Sequence, residues 1–471
     1  MPNFKFLGTS GMTKIDGHKH PQADNPIVSY EPDKVYIQCV DNKAMPLNEM
    51  LEVGAAVKVG TRLGIRGDFG IPVYSSVSGK IVAIEKKTST ICGRQVDHFV
   101  IENDKLYTTE HLEKLVDNPT KEDVVNKIKE GGIVGLGGAG FPTFIKYNTK
   151  PEVKIDTILV NAIECEPYLT TDYLEGSRCI EDLFYALPIL VKVMNAKRAI
   201  IAIKENKPHL IEACTNALKN HPELKEIIEI TLTPDRYPMG FERTLISYVL
   251  HRSYNVLPAE CHVIVNNLQT LEAVGRLFRD GATISKKVIT IAGDGVSNQT
   301  NVECPVGTLV DEIIKSTGGY ALEDVKIVNG GPMCGRAVLT ADFPTVLQSG
   351  GFTILSKYDI HAEPCWKCGK CVDHCPMGLQ PVQIQMAINR GDVDRCYELD
   401  VLKCVECGMC SFVCPSHIDV TANMSKAKMM ARMKFKPGQM TEAQESKEKI
   451  KKFITSLFSK KKNEKNEEVK K

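Results

Sequence analysis

Hydrophobic positions follow two different periods along this chain, and the period changes near residue 110. Between Asn25 and about Asn103, short β-branched runs alternate with polar positions and are separated by glycines. A period of two is typical of strands that bury one face, and glycines between such runs mark turns. The pattern predicts an all-β module of short strands, whose runs are VYIQCV, AAVKVGTRLGI, KIVAIEKK and HFVIEN.

One passage of that module, VKVGTRLGIRGDFGIPVYSSVSGKIVAIE, resembles the hairpin of biotinyl- and lipoyl-type barrel-sandwich domains. Carrier domains of that type modify a lysine at the exposed turn between their two halves. Here the turn holds Asp68, Phe69 and Gly70, and no lysine lies at its tip. We therefore predict a structural or docking module rather than a swinging-arm carrier.

The second part of the pattern has helical spacing and begins at residues 121–131. There Val124, Val125 and Ile128 share one face of a predicted helix. Apolar strands and amphipathic helices then alternate, which predicts an α/β layer. The predicted strands are DTILVNAIE, KRAIIAIKE and EIIEITLTP, and the predicted helices are SRCIEDLFYALPILVKVM and KPHLIEACTNALKNH.

A glycine-rich turn, GGIVGLGGAGFPTFIKY, lies between the first predicted helix and the first of these strands. Gly135, Gly137 and Gly140 satisfy the G-x-G-x-x-G spacing of dinucleotide-binding folds, but that fingerprint should follow a strand and open a helix. Here a helix precedes the glycines and Phe-Pro-Thr follows them, so the spacing alone does not indicate a Rossmann fold. Successive glycines do allow backbone N–H groups to approach a phosphate closely.

The last third of the chain contains three further patterns. Residues 286–350 predict a strand, a tight turn, a strand, a short helix and a strand, which together form a small ubiquitin-like module. Residues 378–403 favour helices, with a break at Gly391. Beyond Pro437 the chain is polar, with one apolar helical face flanked by lysines. That face is too short to span a bilayer and predicts either an auxiliary anchor or a helix packed on its own protein. Its residues are Ile450, Phe453, Ile454, Leu457 and Phe458.

Two cysteine runs, CWKCGKCVDHCP and CVECGMCSFVCP, repeat the spacing C-x2-C-x2-C-x3-C-P. This spacing is typical of paired [4Fe–4S] clusters, in which three cysteines of one run share a cluster with the fourth cysteine of the other. The predicted ligand sets are Cys365, Cys368, Cys371 and Cys414 for one cluster, and Cys404, Cys407, Cys410 and Cys375 for the other. A pair of zinc sites is the alternative, but zinc needs four ligands per site and gains nothing from the triple spacing.

Composition and charge narrow the class of protein. The 471 residues are enough for roughly three or four domains with their own cores. A net charge of +1 gives no basic signature for nucleic acid. Abundant cysteine without a recognisable signal peptide predicts a reducing compartment. The cysteines without ligand spacing are expected to be small buried hydrophobes, and they are Cys39, Cys92, Cys165, Cys179, Cys214, Cys261, Cys304, Cys334 and Cys396.

Four motifs, in order along the chain, resemble the flavin-bearing subunit of respiratory complex I. They are GGAGFPT with Lys146, NAIECEP with Asp172, YPMGFERT, and VNNLQTLEAV. The barrel-sandwich passage, the ECEPY sequence and the paired cysteine runs are closer to the C subunits of Rnf-type ion-translocating ferredoxin:NAD oxidoreductases. The resemblance covers about residues 15–430.

This resemblance implies FMN and two [4Fe–4S] clusters as cofactors, and NAD(H) as substrate. The glycine turn would hold the FMN phosphate, Phe141 would offer its ring to the nicotinamide or adenine, and Lys146 would offer a charge to phosphate or flavin. Asn161, Glu164 and Glu166 would line the isoalloxazine pocket and the NADH edge, and the remaining residues would complete the site. The implied set is Gly137, Gly138, Gly140, Phe141, Lys146, Asn161, Glu164, Glu166, Gly240, Glu242, Asn267 and Thr270.

Complex I has Arg and Asp where this chain has Leu136 and Ile163, so contacts made by those two side chains do not transfer. No residue is required as a general acid or base, because the cofactors supply the chemistry and the protein places and tunes them. Residues 286–350 are similar to the soluble-ligand-binding β-grasp (SLBB) domain of the same families, where a rigid spacer and a ligand site are both possible roles.

The combined expectation is a multidomain protein with α/β, all-β and helical parts. Its expected parts are a barrel-sandwich hybrid at 1–110, an FMN- and NADH-binding α/β domain at 111–284, a β-grasp domain at 285–352, a helical two-[4Fe–4S] ferredoxin-type domain at 353–432 and a charged amphipathic tail at 433–471. The resemblance implies an electron-transfer subunit on the cytoplasmic face of the cell membrane. Its partners would be the other subunits of the complex and, indirectly, ferredoxin. The alternatives are a soluble cobalamin-reductase-like flavo-iron–sulfur protein and a flavin-free electron-wiring protein.

Overall fold

A computed structural model describes residues 11–20, 22–91, 93–358, 360–436 and 439 of the chain. The chain divides into two compact units, Met1–Asp359 and Ile360–Lys471. Among the described residues, no helix is long and apolar enough to cross a membrane. The apolar face predicted within residues 450–458 lies outside the described residues.

Short strands dominate the chain up to about residue 103, as the alternating pattern predicts. They are β1 (Val28–Ser29), β2 (Lys34–Gln38), β3 (Ala56–Val57), β4 (Arg62–Ile65), β5 (Pro72–Tyr74), β6 (Gly79–Ser89) and β7 (Arg94–Asn103). An antiparallel sheet has the order β2-β7-β6-β3, and β4 pairs separately with β5. Val35, Phe99 and Ile101 are fully buried in one core, because alternate side chains of these strands face the same side.

The α/β layer follows, and its sheet is parallel throughout. Its elements are α1 (Lys121–Glu130), α2 (Thr143–Tyr147), β8 (Thr157–Ala162), α3 (Thr171–Arg178), α4 (Ile180–Val193), β9 (Arg198–Lys204), α5 (Pro208–Asn220), β10 (Ile228–Thr233), α6 (Glu242–Leu250), β11 (Val263–Asn267) and α7 (Leu268–Asp280). The strand order is β10-β9-β8-β11. Ile158 and Val160 of β8 face the core that includes α4 and α7, whereas Leu159 faces the core that includes α6. Both faces of the sheet are therefore covered, which explains its continuous apolar runs.

One predicted helix differs from the structure. The pattern predicts a single helix over residues 177–194, but the chain forms α3 up to Arg178 and begins α4 at Ile180, with Cys179 between them. The sequence of α3, TDYLEGSR, is too polar to show a clear apolar stripe. Its formation depends on packing against α5, α7 and the strand that follows α7, so tertiary contacts rather than local pattern define it.

Helix α7 buries the carboxyl group of Glu272. Glu272 is fully buried, and neither of its side-chain oxygens is bonded within the part of the chain that the structure describes. Burial, and then the nearby Glu175, raise the pKa of Glu272 from 4.5 to about 8. A carboxyl with a raised folded-state pKa stabilises the fold fully below pH 4.5, and that contribution is lost as pH rises through 8.

We therefore expect Glu272→Gln to stabilise the protein at pH 8 and to change its stability little at pH 5. Glutamine has nearly the same shape and carries no charge, and each pKa unit corresponds to about 1.4 kcal/mol. The thermal unfolding midpoint should therefore rise by several degrees at pH 8 only. Glu152→Gln, at an exposed position of the same domain, is the matched control. An equal change in the unfolding midpoint at both pH values would contradict the raised pKa of Glu272.

The third module is a mixed sheet of six strands that includes β1 from the N-terminal region. Its other elements are β12 (Lys286–Ala292), β13 (Thr300–Pro305), α8 (Val310–Ser316), β14 (Val325–Asn329), β15 (Arg336–Val338) and β16 (Gly351–Ser356). The order is β1-β13-β12-β16-β14-β15, and β1 pairs with β13 in parallel. The predicted succession of strand, turn, strand, helix and strand is present, whereas the pairing of β1 with a strand more than 270 residues away was not predicted.

The second unit is helical among its described residues. It contains α9 (Lys370–Asp373), α10 (Pro381–Asn389), α11 (Val393–Glu398), α12 (Met409–Phe412) and α13 (Val420–Lys434). Gly391 has φ +75° and separates α10 from α11, where Asp392 caps the second helix through the Arg395 N–H. The predicted break at this glycine is therefore confirmed, because a left-handed residue ends a helix most readily when it is glycine.

Candidate functional site

Two backbone hydrogen bonds close the glycine-rich turn, and one of its residues, Gly138, faces open space. The N–H of Gly135 donates to the carbonyl of Phe141 at 2.8 Å, and the N–H of Gly140 donates to the carbonyl of Gly135 at 3.2 Å. Gly138 has φ +107°, and a Cβ added there would meet no atom within 4 Å. The turn thus presents backbone at an open position that any larger side chain would fill, which is the property required for close approach to a phosphate.

The N-terminal end of helix α7 contacts the glycine-rich turn. Thr270 is buried, and its Oγ1 accepts a hydrogen bond from the N–H of Leu136 at 3.0 Å. Asn267 caps α7, and a Cβ on Gly137 would lie 3.2 Å from the Asn267 side chain. The implied residues Gly137, Asn267 and Thr270 therefore lie together.

The carboxyl end of β8 and the loop that follows it reach the same edge of the sheet. Asn161 donates from Nδ2 to the carbonyl of Gly240 at 2.7 Å, and a Cβ on Gly240 would come within 2.9 Å of Cys165 Sγ. Because β8 and β11 are parallel neighbours, their carboxyl ends lie side by side next to the glycine turn. Ligands of open α/β sheets bind at the carboxyl ends of strands, so this edge is the candidate cofactor site.

Two more implied residues, Lys146 and Glu242, are held at that edge by other partners. Lys146 Nζ donates to the carbonyl of Val265 at 2.6 Å, and burial lowers the pKa of Lys146 while Glu242 raises it. Glu242 accepts a hydrogen bond from the Tyr254 hydroxyl at 2.7 Å. The ring of Phe141 is 42% exposed and remains open to a planar ligand.

The carboxylate of Glu164 is engaged by the protein rather than exposed. Its backbone has φ +42°, and its Oε1 accepts from the N–H of Asp172 at 2.7 Å. Its Oε2 lies 3.4 Å from Lys207 Nζ and 3.7 Å from Lys19 Nζ. All of these side chains are largely buried, so the Glu164 carboxylate lies between two lysines in the protein interior.

Sequence reasoning missed Lys19, which comes from the polar N-terminal segment. Its Nζ donates to the carbonyls of Glu164 and Glu166 at 3.0 Å each, and to the carbonyl of Leu169. Burial lowers the pKa of Lys19 to about 7, while Glu164 opposes that shift. Nothing in the spacing of residues 11–24 indicates this contact, because its partners lie about 145 positions away.

The side chain of Glu166 contacts a turn of the six-stranded sheet. Its Oε1 accepts hydrogen bonds from the N–H groups of Met333 and Cys334 at 2.7 and 3.0 Å. Cys334 is itself exposed, unlike most of the other cysteines that were expected to be buried hydrophobes, and its Sγ lies 3.2 Å from the Tyr237 hydroxyl. Buried cysteines do include Cys39, Cys214, Cys261, Cys304 and Cys396.

Asp172 is a second buried carboxyl next to the site. Burial, and then the Glu164 charge, raise the pKa of Asp172 to about 6. Its oxygens accept from Asn267 Nδ2 at 2.8 Å and Gln269 Nε2 at 2.7 Å. Lys287 Nζ donates to Gln269 Oε1 at 2.5 Å, so this network connects the capping residue Asn267 to β12 of the six-stranded sheet.

In the second unit, the cysteines gather around two cavities. One cavity is lined by Cys375, Cys404, Cys407 and Cys410, and the other by Cys365, Cys368, Cys371 and Cys414. Each cavity thus combines the first three cysteines of one run with the fourth of the other. Among the described residues, no three His, Cys, Asp or Glu side chains form a site for a single metal ion.

Each cysteine run follows the same backbone path. Lys367 and Gly369 have positive φ values in the first run, as do Glu406 and Gly408 at the equivalent positions of the second. These left-handed residues coil the chain so that the first three thiols of a run face one cavity. In the second run Lys428 fastens the coil, since its Nζ donates to the Cys404 carbonyl and to Glu406 Oε1, both at 2.6 Å.

Burial affects the chemistry of the second run. It raises the pKa of Cys404 to about 12 and that of Cys410 to about 11. Thiols ligate metals as thiolates, so a cationic iron centre must displace these protons when it binds. Four thiols around one cavity match the donor set of a [4Fe–4S] cluster.

Two parts of the first unit match known protein families. Residues 128–276 match the family described as the Nuo51 FMN-binding domain, and residues 8–106 match the RnfC barrel sandwich hybrid domain. Among solved structures, an NAD+-reducing [NiFe]-hydrogenase in the H2-reduced state is similar at 18% identity with a TM-score of 0.44. That similarity covers 67% of this chain and 61% of the hydrogenase chain.

Two curated relatives are similar over most of their length. The C subunit of the Na(+)-translocating ferredoxin:NAD(+) oxidoreductase complex of Acetobacterium woodii is 32% identical, covering 78% of this chain and 84% of the relative. The C subunit of the proton-translocating ferredoxin:NAD(+) oxidoreductase complex of Clostridium ljungdahlii is 31% identical, covering 79% and 82%. The order of motifs, the fold and these relatives agree, and the chain belongs to the family of C subunits of ion-translocating ferredoxin:NAD(+) oxidoreductase complexes.

Proposed function

We propose that this chain is the electron-transfer subunit through which a membrane-bound, ion-translocating ferredoxin:NAD oxidoreductase exchanges electrons with NAD(H). The observation that carries the proposal is the meeting of three separate segments at the carboxyl edge of the parallel sheet. These segments are the glycine turn, the carboxyl end of β8 and the start of α7. Membership of the C-subunit family supplies the complex, and with it the other subunits as partners.

The glycine turn is the proposed phosphate site of FMN, because Gly138 leaves open space beside exposed backbone. Asn161, Gly240 and Asn267 would border the flavin ring, and Phe141 would offer its exposed face to the nicotinamide or adenine. When bound, FMN supplies the conversion between the two-electron chemistry of NADH and one-electron transfer to iron–sulfur centres. The chain itself orients the ligand and keeps Glu164 and Lys146 occupied by internal partners.

The two cysteine-lined cavities are the proposed sites of two [4Fe–4S] clusters, with the crossed ligand sets described above. Their donor set is four thiols each, which suits iron–sulfur ligation. The similar backbone path of the two runs supports two clusters of the same type. The chain holds the cysteines in place through left-handed residues and through the contacts of Lys428.

The proposed architecture assigns a role to each part of the chain. The barrel-sandwich region (1–110) would be a docking module, residues 111–284 the flavin domain, 285–352 an SLBB-like β-grasp domain, 353–432 a ferredoxin-type cluster domain and 433–471 an auxiliary anchor. We place the chain as a peripheral protein on the cytoplasmic face of the membrane, where ferredoxin would be reached indirectly through the other subunits.

Anaerobic purification of the full chain tests the proposal. We expect about eight irons per chain, two clusters' worth, together with FMN that is released on denaturation. NADH should bleach the flavin absorbance, because hydride transfer removes the oxidised chromophore. Zinc analysis of the same sample is the control for the alternative metal. A protein without extractable flavin, or one that holds zinc in place of iron, would contradict the proposal.

A further inference from the structure

The six-stranded sheet has a turn that binds a carboxylate of the chain itself. The turn is the segment 330–335, which joins β14 to β15 and has the sequence GGPMCG. Two consecutive N–H groups of this turn, from Met333 and Cys334, donate to Glu166 Oε1. Consecutive backbone N–H groups that converge on one oxygen form an anion-binding concavity.

The turn is built rigidly around that carboxylate. The N–H of Gly335 donates to the Gly331 carbonyl at 2.9 Å, and Thr353 Oγ1 donates to the Gly330 carbonyl at 2.8 Å, which fixes the turn to β16. A Cβ on Gly331 would lie 2.2 Å from Glu166 Cγ. Glycine is therefore required at position 331, because the carboxylate side chain lies directly against its Cα.

The loop that carries Glu166 is also anchored near its end: the N–H of Tyr168 donates to the Gly17 carbonyl at 2.7 Å, and the N–H of Thr170 donates to Thr290 Oγ1 of β12 at 3.2 Å. Lys19 Nζ donates to the carbonyls of Glu164, Glu166 and Leu169. The Tyr237 hydroxyl lies 3.4 Å from Glu166 Oε2. Lys19, the contacts of Tyr168 and Thr170, and the turn of the six-stranded sheet thus hold residues 164–169 together, while the preceding Asn161 reaches the candidate flavin edge.

We propose that Glu166 is a positioning residue whose carboxylate is the internal ligand of the 330–335 turn. By binding this carboxylate, the six-stranded sheet fixes the loop 164–169 and, through it, the flavin-side residues next to the glycine turn. Glu166 thereby acts through the loop rather than by touching NADH or the flavin ring. This inference rests on the proposed function only for its consequence, the effect on flavin binding.

A set of variants separates this role from a direct contact with the ligand. Glu166→Gln keeps an oxygen that can accept from both N–H groups, whereas Glu166→Ala removes it. Gly331→Ala adds a methyl group against Glu166 Cγ. Gly350→Ala is the matched control in the same module, since its Cβ would meet Thr171 Oγ1 only at 3.8 Å and Leu169 at 3.9 Å.

Hydrogen exchange of residues 164–169 in the flavin-free protein is the first readout. We expect Glu166→Ala and Gly331→Ala to speed exchange there by roughly tenfold or more, and Glu166→Gln and Gly350→Ala to leave it near the unsubstituted rate. The combined Glu166→Ala, Gly331→Ala variant should be no worse than the more severe single variant, because both act on one contact. Unchanged exchange in Glu166→Ala would overturn the proposal.

The dissociation constant of FMN is the second readout, with iron content as a check on the cluster unit. Glu166→Ala should raise the dissociation constant of FMN roughly tenfold, whereas Glu166→Gln should raise it much less. If Glu166→Gln weakened FMN or NADH binding as much as Glu166→Ala, the carboxylate charge would act directly on the ligand and the positioning role would be wrong. If the unsubstituted chain bound no FMN, the proposed function would fail, while the exchange experiment would still decide whether the turn holds the loop.

Discussion

Replacing Cys375 by alanine is expected to remove the cluster of the distant 404–410 run and to leave the cluster of its own run in place. The reason is the arrangement of the cavities, since Cys375 lines one cavity with Cys404, Cys407 and Cys410. Its own run lines the other cavity together with Cys414. Iron should therefore fall from about eight to about four per chain, and electron paramagnetic resonance should retain one reduced cluster signal.

The reciprocal variant and a buried cysteine provide the controls. Cys414→Ala should remove the other signal, that of the 365–371 run. Cys396→Ala alters a fully buried cysteine of the same unit that lines neither cavity, so both signals should persist. Loss of the 365–371 signal in Cys375→Ala would show that each run ligates its own cluster.

Replacing Gly138 by valine is expected to abolish FMN binding while the iron content stays at its normal value. Position 138 has φ +107° and faces open space, so valine would place a branched side chain where the phosphate must approach the backbone. Phosphate binding by backbone N–H groups requires contact at hydrogen-bond distance, and a side chain of this size prevents it. Flavin fluorescence after denaturation, together with bleaching by NADH, measures the effect.

Backbone strain alone could also disturb the turn, and a second glycine controls for it. Gly54 has φ +101° and, like Gly138, would place a Cβ in open space, but it lies in the N-terminal strand region. Gly54→Val therefore imposes comparable strain away from the candidate site and should retain FMN. An NADH-bleachable flavin in Gly138→Val would show that the glycine turn is not the phosphate site.

The candidate site itself was only partly predictable. Motif resemblance brought together Gly137, Asn161 and Asn267, which the fold does place at one sheet edge. It also grouped Glu164 and Glu166 as ligand-facing carboxylates, an assignment that stays a prediction. In the structure both carboxylates are bound by other parts of the chain. Their partners include Lys19 and the 330–335 turn, which no local pattern marks, since each lies about 145 or more residues from the group it binds.

By itself, the sequence determined those features that depend on neighbouring residues. The spacing of the cysteines specified thiol ligands and grouped the first three cysteines of each run. Alternation of apolar and polar positions specified the strands of the N-terminal region, and glycine specified the helix break at position 391. These features follow from short-range geometry, because side-chain direction in a strand or a tight coil depends on only a few successive dihedral angles.

Only the tertiary structure decided which residues far apart in sequence contact each other and which side chains are buried away from water. It paired β1 with β13, brought Lys19 under the loop after β8, and buried Glu272 without a hydrogen-bond partner among the described residues. The pKa values of Lys19 and Glu272 shift mainly through burial, which a sequence does not display. The physical reason is that desolvation and long-range hydrogen bonds depend on the packing of whole modules, whereas residue type and spacing describe only the local chain.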